Sequence, residues 1–107
     1  MKPSEHAVLV HVRLSDEKFG APNERTIIAS LEERLEARVK AESAGDYDGH
    51  EIGMGYCTLF LYGPDADVLF SAIEPILREG ALADGSYAIK RYGAAADPNA
   101  KETRVQF

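Results

Sequence analysis

Alternating apolar positions near the start of the chain predict a β-strand over residues 6–14. Its even-numbered positions are all apolar: Val8, Val10, Val12 and Leu14. Its odd-numbered positions are only half polar: Ala7, Leu9, His11 and Arg13. A period of two with β-branched residues is typical of a strand with one buried face. The even-numbered face is therefore predicted to be buried.

Two amphipathic helices are predicted from apolar residues spaced three and four apart. The first covers residues 24–42 and follows an N-cap at Asn23. The second follows an N-cap at Asp65 and continues past Leu77. Pro75 removes a backbone donor inside this second helix, so we expect a kink or a split there.

Four further segments are predicted to extend the sheet. Residues 56–62 have β-formers nearly throughout and apolar residues on both faces, which indicates a central strand. Gly53 and Gly55, which precede it, supply the permissive backbone of a hairpin bend. Residues 45–52 are either a short polar edge strand or an extended loop. Residues 86–92 are predicted to form another strand, and residues 103–107 a final edge strand.

The predicted elements follow the order β-α-β-β-α-β, with a fifth strand at the end, and residues 1–107 are expected to form a single domain. This order resembles the ferredoxin-like, split βαβ fold. The resemblance covers residues 6–92 and implies an α+β fold, with an antiparallel sheet in strand order 4-1-3-2, residues 45–52 at one edge and both helices on one face. The segments DYDGHE, LFLYGPDAD and IKRYG also look like those of small uncharacterised bacterial proteins, a similarity that implies no chemistry.

The net charge of −6 lowers the expectation of a nucleic-acid or membrane partner, because the field of the protein mostly repels phosphate. Residues 54–61 also depart from the RNA-recognition motif, with Met54 at its basic position and Thr58 at an aromatic one. The single cysteine, Cys57, cannot form an intrachain disulfide, and a reducing, cytoplasmic location is expected. The first apolar run is too short for a signal sequence or a membrane span.

An acidic turn is the first candidate for chemistry. It carries Asp46, Asp48, His50 and Glu51 within six residues, to which Arg13 or Lys90 could add a positive charge. Carboxylates and an imidazole this close together can bind a cation or hold a general base. Strict alternation along a strand, however, would place Asp46, Asp48 and His50 on one face and Glu51 on the other. A solvated charged edge that blocks strand pairing explains the same residues, and no metal ion or other cofactor is assigned.

The sheet face without helices is the second candidate. Its predicted members are aromatic, aliphatic and basic: Leu9, His11, Arg13, Tyr56, Thr58, Phe60, Tyr62, Lys90 and Tyr92. Exposed apolar surface on this scale is typical of an interface or a ligand groove. The inside and outside positions of residues 56–62 and 86–92 are open at this stage. Cys57, flanked by apolar residues, is interpreted as a small buried side chain rather than a nucleophile.

These observations favour a protein-interaction module that forms a homodimer through its open sheet face and acts on a protein partner. The sequence contains no phosphate-binding glycine loop, zinc-ligand spacing or serine nucleophile elbow, which favours a role without catalysis. The alternative is a small-molecule- or metal-binding regulatory domain, or a small enzyme, that uses the acidic turn at residues 46–51.

Overall fold

The computed structural model describes residues 5–15, 22–80 and 82–107, and within them the chain forms two helices and five strands. The strands and helices in chain order are β1 (His6–Arg13), α1 (Pro22–Ala41), β2 (Asp46–Gly53), β3 (Tyr56–Gly63), α2 (Ala66–Glu79), β4 (Tyr87–Arg91) and β5 (Glu102–Gln106). The turn residues of the segment SDEKFGAP predict a loop at residues 15–22, and most of this segment lies outside the described residues. The segment at residues 45–52, for which strand and loop were both open, is a strand.

All five strands belong to one antiparallel sheet, in the order β2-β3-β1-β4-β5. The chain therefore has an α+β fold with two helices and a five-stranded antiparallel sheet. β2 lies at one edge, as predicted for this polar segment. β5 lies at the other edge, beside β4.

The core lies between the helices and one face of the sheet. The even-numbered positions 8–14 are buried as predicted, and they share one apolar cluster with buried residues of both helices. β3 contributes Cys57, Leu59 and Leu61 to this cluster, and β4 contributes Ala88. We call this side the helical face of the sheet. Burying these side chains removes apolar area from water, at about 25 cal/mol per Å², which is the main contribution to stability.

The hairpin between β2 and β3 is as tight as its glycines predict. Only Met54 and Gly55 stand between the strands, and both have positive φ, 55° and 83°. A two-residue turn with positive φ at both positions matches the right-handed twist of paired strands. Met54 is 93% exposed, so the turn depends on backbone conformation and not on packing of this side chain.

The helix boundaries confirm one predicted cap and correct another. The Asp65 carboxylate accepts hydrogen bonds from the backbone N–H groups of Asp67 and Val68, which makes it the N-cap of α2. Asn23 is not the N-cap of α1, because the helix already begins at Pro22. α2 is not split at Pro75, since the helix is continuous from Ala66 to Glu79.

The end of the chain closes one edge of the core. The Phe107 backbone N–H donates to the Ser86 carbonyl oxygen at 3.4 Å. The Phe107 ring stacks on Phe70 of α2, with ring centroids 6.4 Å apart, and the Arg78 guanidinium lies 5.5 Å from its centroid. β5 thus extends the sheet, while the final residue packs on the helical face. No helix among the described residues is long and apolar enough to cross a membrane.

Candidate interaction surface

The second sheet face, opposite the helical face, is the candidate site, and we call it the open face. Strand register places its side chains in rows, because directly paired residues share a face. The central row contains Phe60, Leu9, Ile89 and Arg104, and the next row contains Glu51, Thr58, His11, Tyr87 and Gln106. The row on the other side contains Asp46, Tyr62, Ala7, Arg91 and Glu102.

An alternating stack of rings and guanidinium groups crosses the open face. The Arg104 guanidinium lies 3.8 Å from the centroid of the Tyr87 ring, and that ring stacks on His11 at 4.5 Å. Tyr56 meets both rings edge-on, and Arg13 lies 5.2 Å from its centroid. Cation–π and offset ring contacts each contribute about 0.5–1.5 kcal/mol beyond apolar burial. These contacts hold long side chains in fixed positions on this face.

His11 is the titratable group at the centre of this stack. Its Nδ1 lies 3.0 Å from the Thr58 hydroxyl oxygen on β3. Partial burial lowers the pKa of His11 below its usual 6.5, and the positive charge of Arg104 lowers it further. The neutral imidazole is therefore the form that suits the open face at neutral pH.

Six of the predicted interface residues lie on the open face, and Tyr92 does not. The six are Leu9, His11, Tyr56, Thr58, Phe60 and Tyr62. Lys90 was also predicted on this face, but it pairs with the helix-facing Val8. The Asp67 carboxylate at the start of α2 accepts hydrogen bonds from Lys90 Nζ at 3.0 Å and from the Tyr92 hydroxyl at 2.6 Å.

The placement of Lys90 and Tyr92 has a physical reason. Their apolar parts pack beside α2 while their polar ends reach the first turn of that helix: Lys90 Nζ lies 5.3 Å from the centroid of Phe70, and Tyr92 packs against the core cluster. The hydrogen bond from Tyr92, followed by that from Lys90, lowers the pKa of Asp67 below its usual range. These two residues serve the helical side of the sheet.

The open face contains residues that the sequence analysis did not assign to it. They are Tyr87, Ile89 and Arg91 of β4 and Arg104 of β5. The signal that could have found the first three is Ala88, since a small apolar residue between larger ones suits the crowded side beneath a helix. Arg104 could follow only after β5 had been paired with β4.

The acidic turn does not bring its four predicted residues together, because β2 contains a bulge. The register shifts between Tyr47 and Gly49, and Gly49 has φ 117°, a conformation that favours glycine. The extra residue reverses the alternation after it, so Asp46 and Glu51 share the open face while His50 lies on the helical face. Asp48 is exposed at the bulge itself.

Arg13 and Lys90, the two cations predicted to join the acidic turn, form no ion pair with its described residues. Lys90 is on β4, and three strand spacings of about 4.8 Å, roughly 14 Å in total, lie between β4 and β2. Arg13 stacks on Tyr56 at the hairpin end of the sheet. Ligand binding by the acidic turn and these two cations stays a prediction; the six residues concerned are Asp46, Asp48, His50, Glu51, Arg13 and Lys90.

His50 belongs to a different cluster, on the helical face. Its Nδ1 lies 2.8 Å from Glu32 Oε2 on α1, and the same carboxylate oxygen accepts a hydrogen bond from the Tyr47 hydroxyl. Burial, and then the hydrogen bond to Glu32, raise the pKa of Tyr47 well above its usual value. The cluster connects β2 to α1, and this structural role is enough to account for His50, Tyr47 and Glu32.

Cys57 is fully buried, as predicted for a small apolar side chain. Burial raises the pKa of its thiol to about 11, so the reactive thiolate is scarce at neutral pH. Within residues 5–15, 22–80 and 82–107, no group of three or more histidine, cysteine, aspartate and glutamate side chains is placed to hold a metal ion.

Comparisons with known proteins identify no relative of this chain. Neither the protein-family models, nor the curated proteins, nor the solved structures that were compared match this chain.

Proposed function

We propose that this chain is a protein-interaction module that forms a homodimer by packing the open faces of two copies against each other. The observation that carries the proposal is the central row, where Phe60, Leu9 and Ile89 lie side by side on three adjacent strands. All three keep part of their surface exposed. A contiguous apolar patch of this kind on a soluble chain is typical of an interface.

The size of the open face supports a second copy as the occupant. Five strands at about 4.8 Å span roughly 24 Å, and the eight residues of β1 at about 3.4 Å span roughly 27 Å. The shorter β4 and β5 reduce the flat area to about 500–650 Å² on each copy. Two such faces together bury about 1,000–1,300 Å², which reaches the lower range of stable protein–protein interfaces.

We also propose that the fold is ferredoxin-like. The neighbour relations of the first four strands support this proposal, because from the opposite edge they follow the order β4-β1-β3-β2. β5 is then an addition beside β4. In such a fold the helices cover one side of the sheet, so the other side is left available for association, which supports the proposed dimer.

Sedimentation equilibrium over a micromolar concentration range tests the homodimer. We expect a reversible monomer–dimer equilibrium for the native chain, and weaker association, by at least about tenfold, for Phe60→Asp, because a carboxylate at the centre of the interface would be buried without a partner. Circular dichroism on each sample checks that the variant is folded.

The matched control is Val68→Asp, the same type of change on the outer surface of α2, where Val68 is 55% exposed. It should associate like the native chain. A native chain that stays monomeric throughout the range, or a folded Phe60→Asp variant that dimerises like the native chain, would overturn the proposal.

A further inference from the structure

The two edges of the open face carry opposite charges. On the β2 edge the charged side chains are Asp46 and Glu51, and neither forms an ion pair with another described residue. On the β4–β5 edge, Arg91 and Glu102 are register partners of opposite charge, although Arg91 Nε donates to the Gly93 carbonyl oxygen at 3.0 Å and not to Glu102. Arg104 is the remaining charge of that edge. The face is therefore acidic on one side and basic on the other.

Arg104 is held in position for an external acceptor. The central carbon of its guanidinium lies 3.8 Å from the centroid of the Tyr87 ring, and its Nε donates to the Gln106 side chain at 2.7 Å. Stacking uses the plane of the guanidinium group, while the terminal N–H groups remain at its edge, suited to a carboxylate. A side chain that is already ordered loses less entropy when it binds.

Two orientations of a two-fold axis can pack the open face of one copy on that of another. An axis across the strands sets β2 over β2 of the partner and β5 over β5 of the partner, which brings like charges together. An axis parallel to the strands reverses the strand order across the interface, so β2 lies over the partner's β5. Like-charge contacts across an interface cost several kcal/mol. The axis across the strands sets Asp46 over Glu51 of the partner and Arg104 over Arg104 of the partner. The parallel axis sets Asp46 over Glu102 of the partner, but it also brings Arg104 of the partner over Gly49, between Asp46 and Glu51, so the balance of charge favours the parallel axis.

We propose that the homodimer has its two-fold axis parallel to the strands, with Arg104 of each copy seated between Asp46 and Glu51 of the other. This inference rests on the proposed function and adds the arrangement of the two copies. Aligned packing of two sheets, about 30° apart and about 10 Å from each other, is the common geometry of β-sandwiches. Glutamate and arginine side chains together span that separation.

The shape of β2 agrees with this seat. Gly49 occupies the same row as Arg104, and a Cβ atom placed on Gly49 would meet nothing within 4 Å. Its missing side chain leaves a gap on the β2 edge, flanked on the open face by Asp46 and Glu51. An arginine from the partner that enters this gap reaches both carboxylates.

The other cation of the face is compatible with the arrangement. Arg13 is on the central strand, near the axis, where two copies of it would repel each other. Its guanidinium, however, leans over Tyr56 and lies beside Gly55 of the hairpin turn. It therefore points toward the end of the sheet and away from the centre of the contact.

Charge reversal on each edge tests the arrangement. Glu51→Arg places two positive groups opposite each other in both contacts of the dimer, and Arg104→Glu places negative groups there. We expect each variant alone to self-associate at least about tenfold more weakly than the native chain in sedimentation equilibrium. An equimolar mixture should recover association, because the two arginines of one variant then face the two glutamates of the other. Glu33→Arg, an exposed site on α1, is the control with the same change of charge.

Each outcome bears on one proposal. A native chain that is monomeric overturns the proposed function itself. A native dimer whose two single variants associate as well as it does, or a Glu51→Arg variant that associates more tightly, overturns the parallel axis and leaves the open-face dimer in place. Weakened single variants whose mixture does not recover also overturn the seat of Arg104 between the two carboxylates. The arrangement is supported only if both single variants associate weakly and their mixture recovers association.

Discussion

The two faces of the same sheet differ in how their side chains meet their neighbours. On the helical face, the residues of β1 and β3 are buried against two helices and carry the apolar core. On the open face, the same strands present side chains that are only partly buried and are ordered by contacts with each other: His11 on Tyr87, and Arg104 on Tyr87. One face stabilises the monomer, and the other is the surface that we propose to pair with a second copy. Alternation along a strand is enough to separate the two roles.

The largest expected effect comes from paired substitutions at adjacent residues of β3. Leu61→Ala on the helical face should lower the free energy of unfolding by about 2–5 kcal/mol, because it removes fully buried methyl groups and leaves a cavity. Phe60→Ala on the open face should lower it by less than about 2 kcal/mol, since its ring is packed on one side only. Urea unfolding at concentrations that keep the chain monomeric measures both. Equal losses would contradict the distinction between the faces.

A medium effect is expected at the cluster that joins α1 to β2. Glu32→Ala leaves the Tyr47 hydroxyl and His50 without their shared acceptor, so we expect a loss of about 1–3 kcal/mol. The pKa of Tyr47 should fall in this variant but stay above its usual value, because burial is the larger cause of its shift. Tyrosinate absorbance during alkaline titration reports that change.

The control for Glu32→Ala is Glu33→Ala, one residue along α1 on its exposed side, which should change stability by no more than about 0.5 kcal/mol. If both variants lose the same free energy, the loss reflects helix α1 in general and not the cluster on the helical face.

The smallest effect is a pH dependence that belongs to the open face. The folded pKa of His11 lies below the unfolded value of 6.5, so the unfolded chain binds more protons below that pH. The contribution of the neutral His11 side chain to the free energy of unfolding is complete above about pH 6.5. It is lost as the pH falls from there through the folded pKa. Unfolding free energy should therefore decrease on acidification, and His11→Gln should remove that part of the decrease.

Acidification should also weaken the proposed dimer, because His11 lies on the central strand and a proton there adds a positive charge close to Arg104, whose own charge, after burial, lowers the pKa of His11. The neighbours that face it are Thr58 and Tyr56 on β3 and Tyr87 on β4, none of which carries a compensating charge at neutral pH. Sedimentation of the native chain and of His11→Gln from about pH 7.5 to about pH 5 separates this effect from general acid destabilisation. A native dimer that is equally tight across this range would show that His11 lies outside the contact.

Much of the fold follows from local patterns, because β1, β3 and both helices have apolar residues at the spacing of their own structure. The buried face of β4 cannot be predicted in this way, because each of its two faces combines apolar and cationic groups. One face has Tyr87, Ile89 and Arg91, and the other has Ala88 and Lys90. Only the contact with α2 decides between them. Lys90 can lie on the helical face because its charged end reaches Asp67.

The site was harder to predict than the fold because one residue in β2 changes its alternation. Strict alternation grouped Asp46 with His50, whereas the bulge at Gly49 groups Asp46 with Glu51 and sends His50 toward Glu32. A glycine inside a strand pattern signals such a bulge, but it does not give the residue at which the register shifts. The charged edge that supports the proposed dimer is therefore visible only in the structure.

The position of Phe107 decides where anything attached to the end of this chain would emerge. Its ring contacts Phe70 and Arg78 on the helical side, and its backbone N–H donates to Ser86 beside the start of β4, so an affinity tag or fluorescent label joined there starts at the edge of the sheet, outside the rows of the surface proposed to pair. A label at this position can report on association without blocking the proposed contact surface.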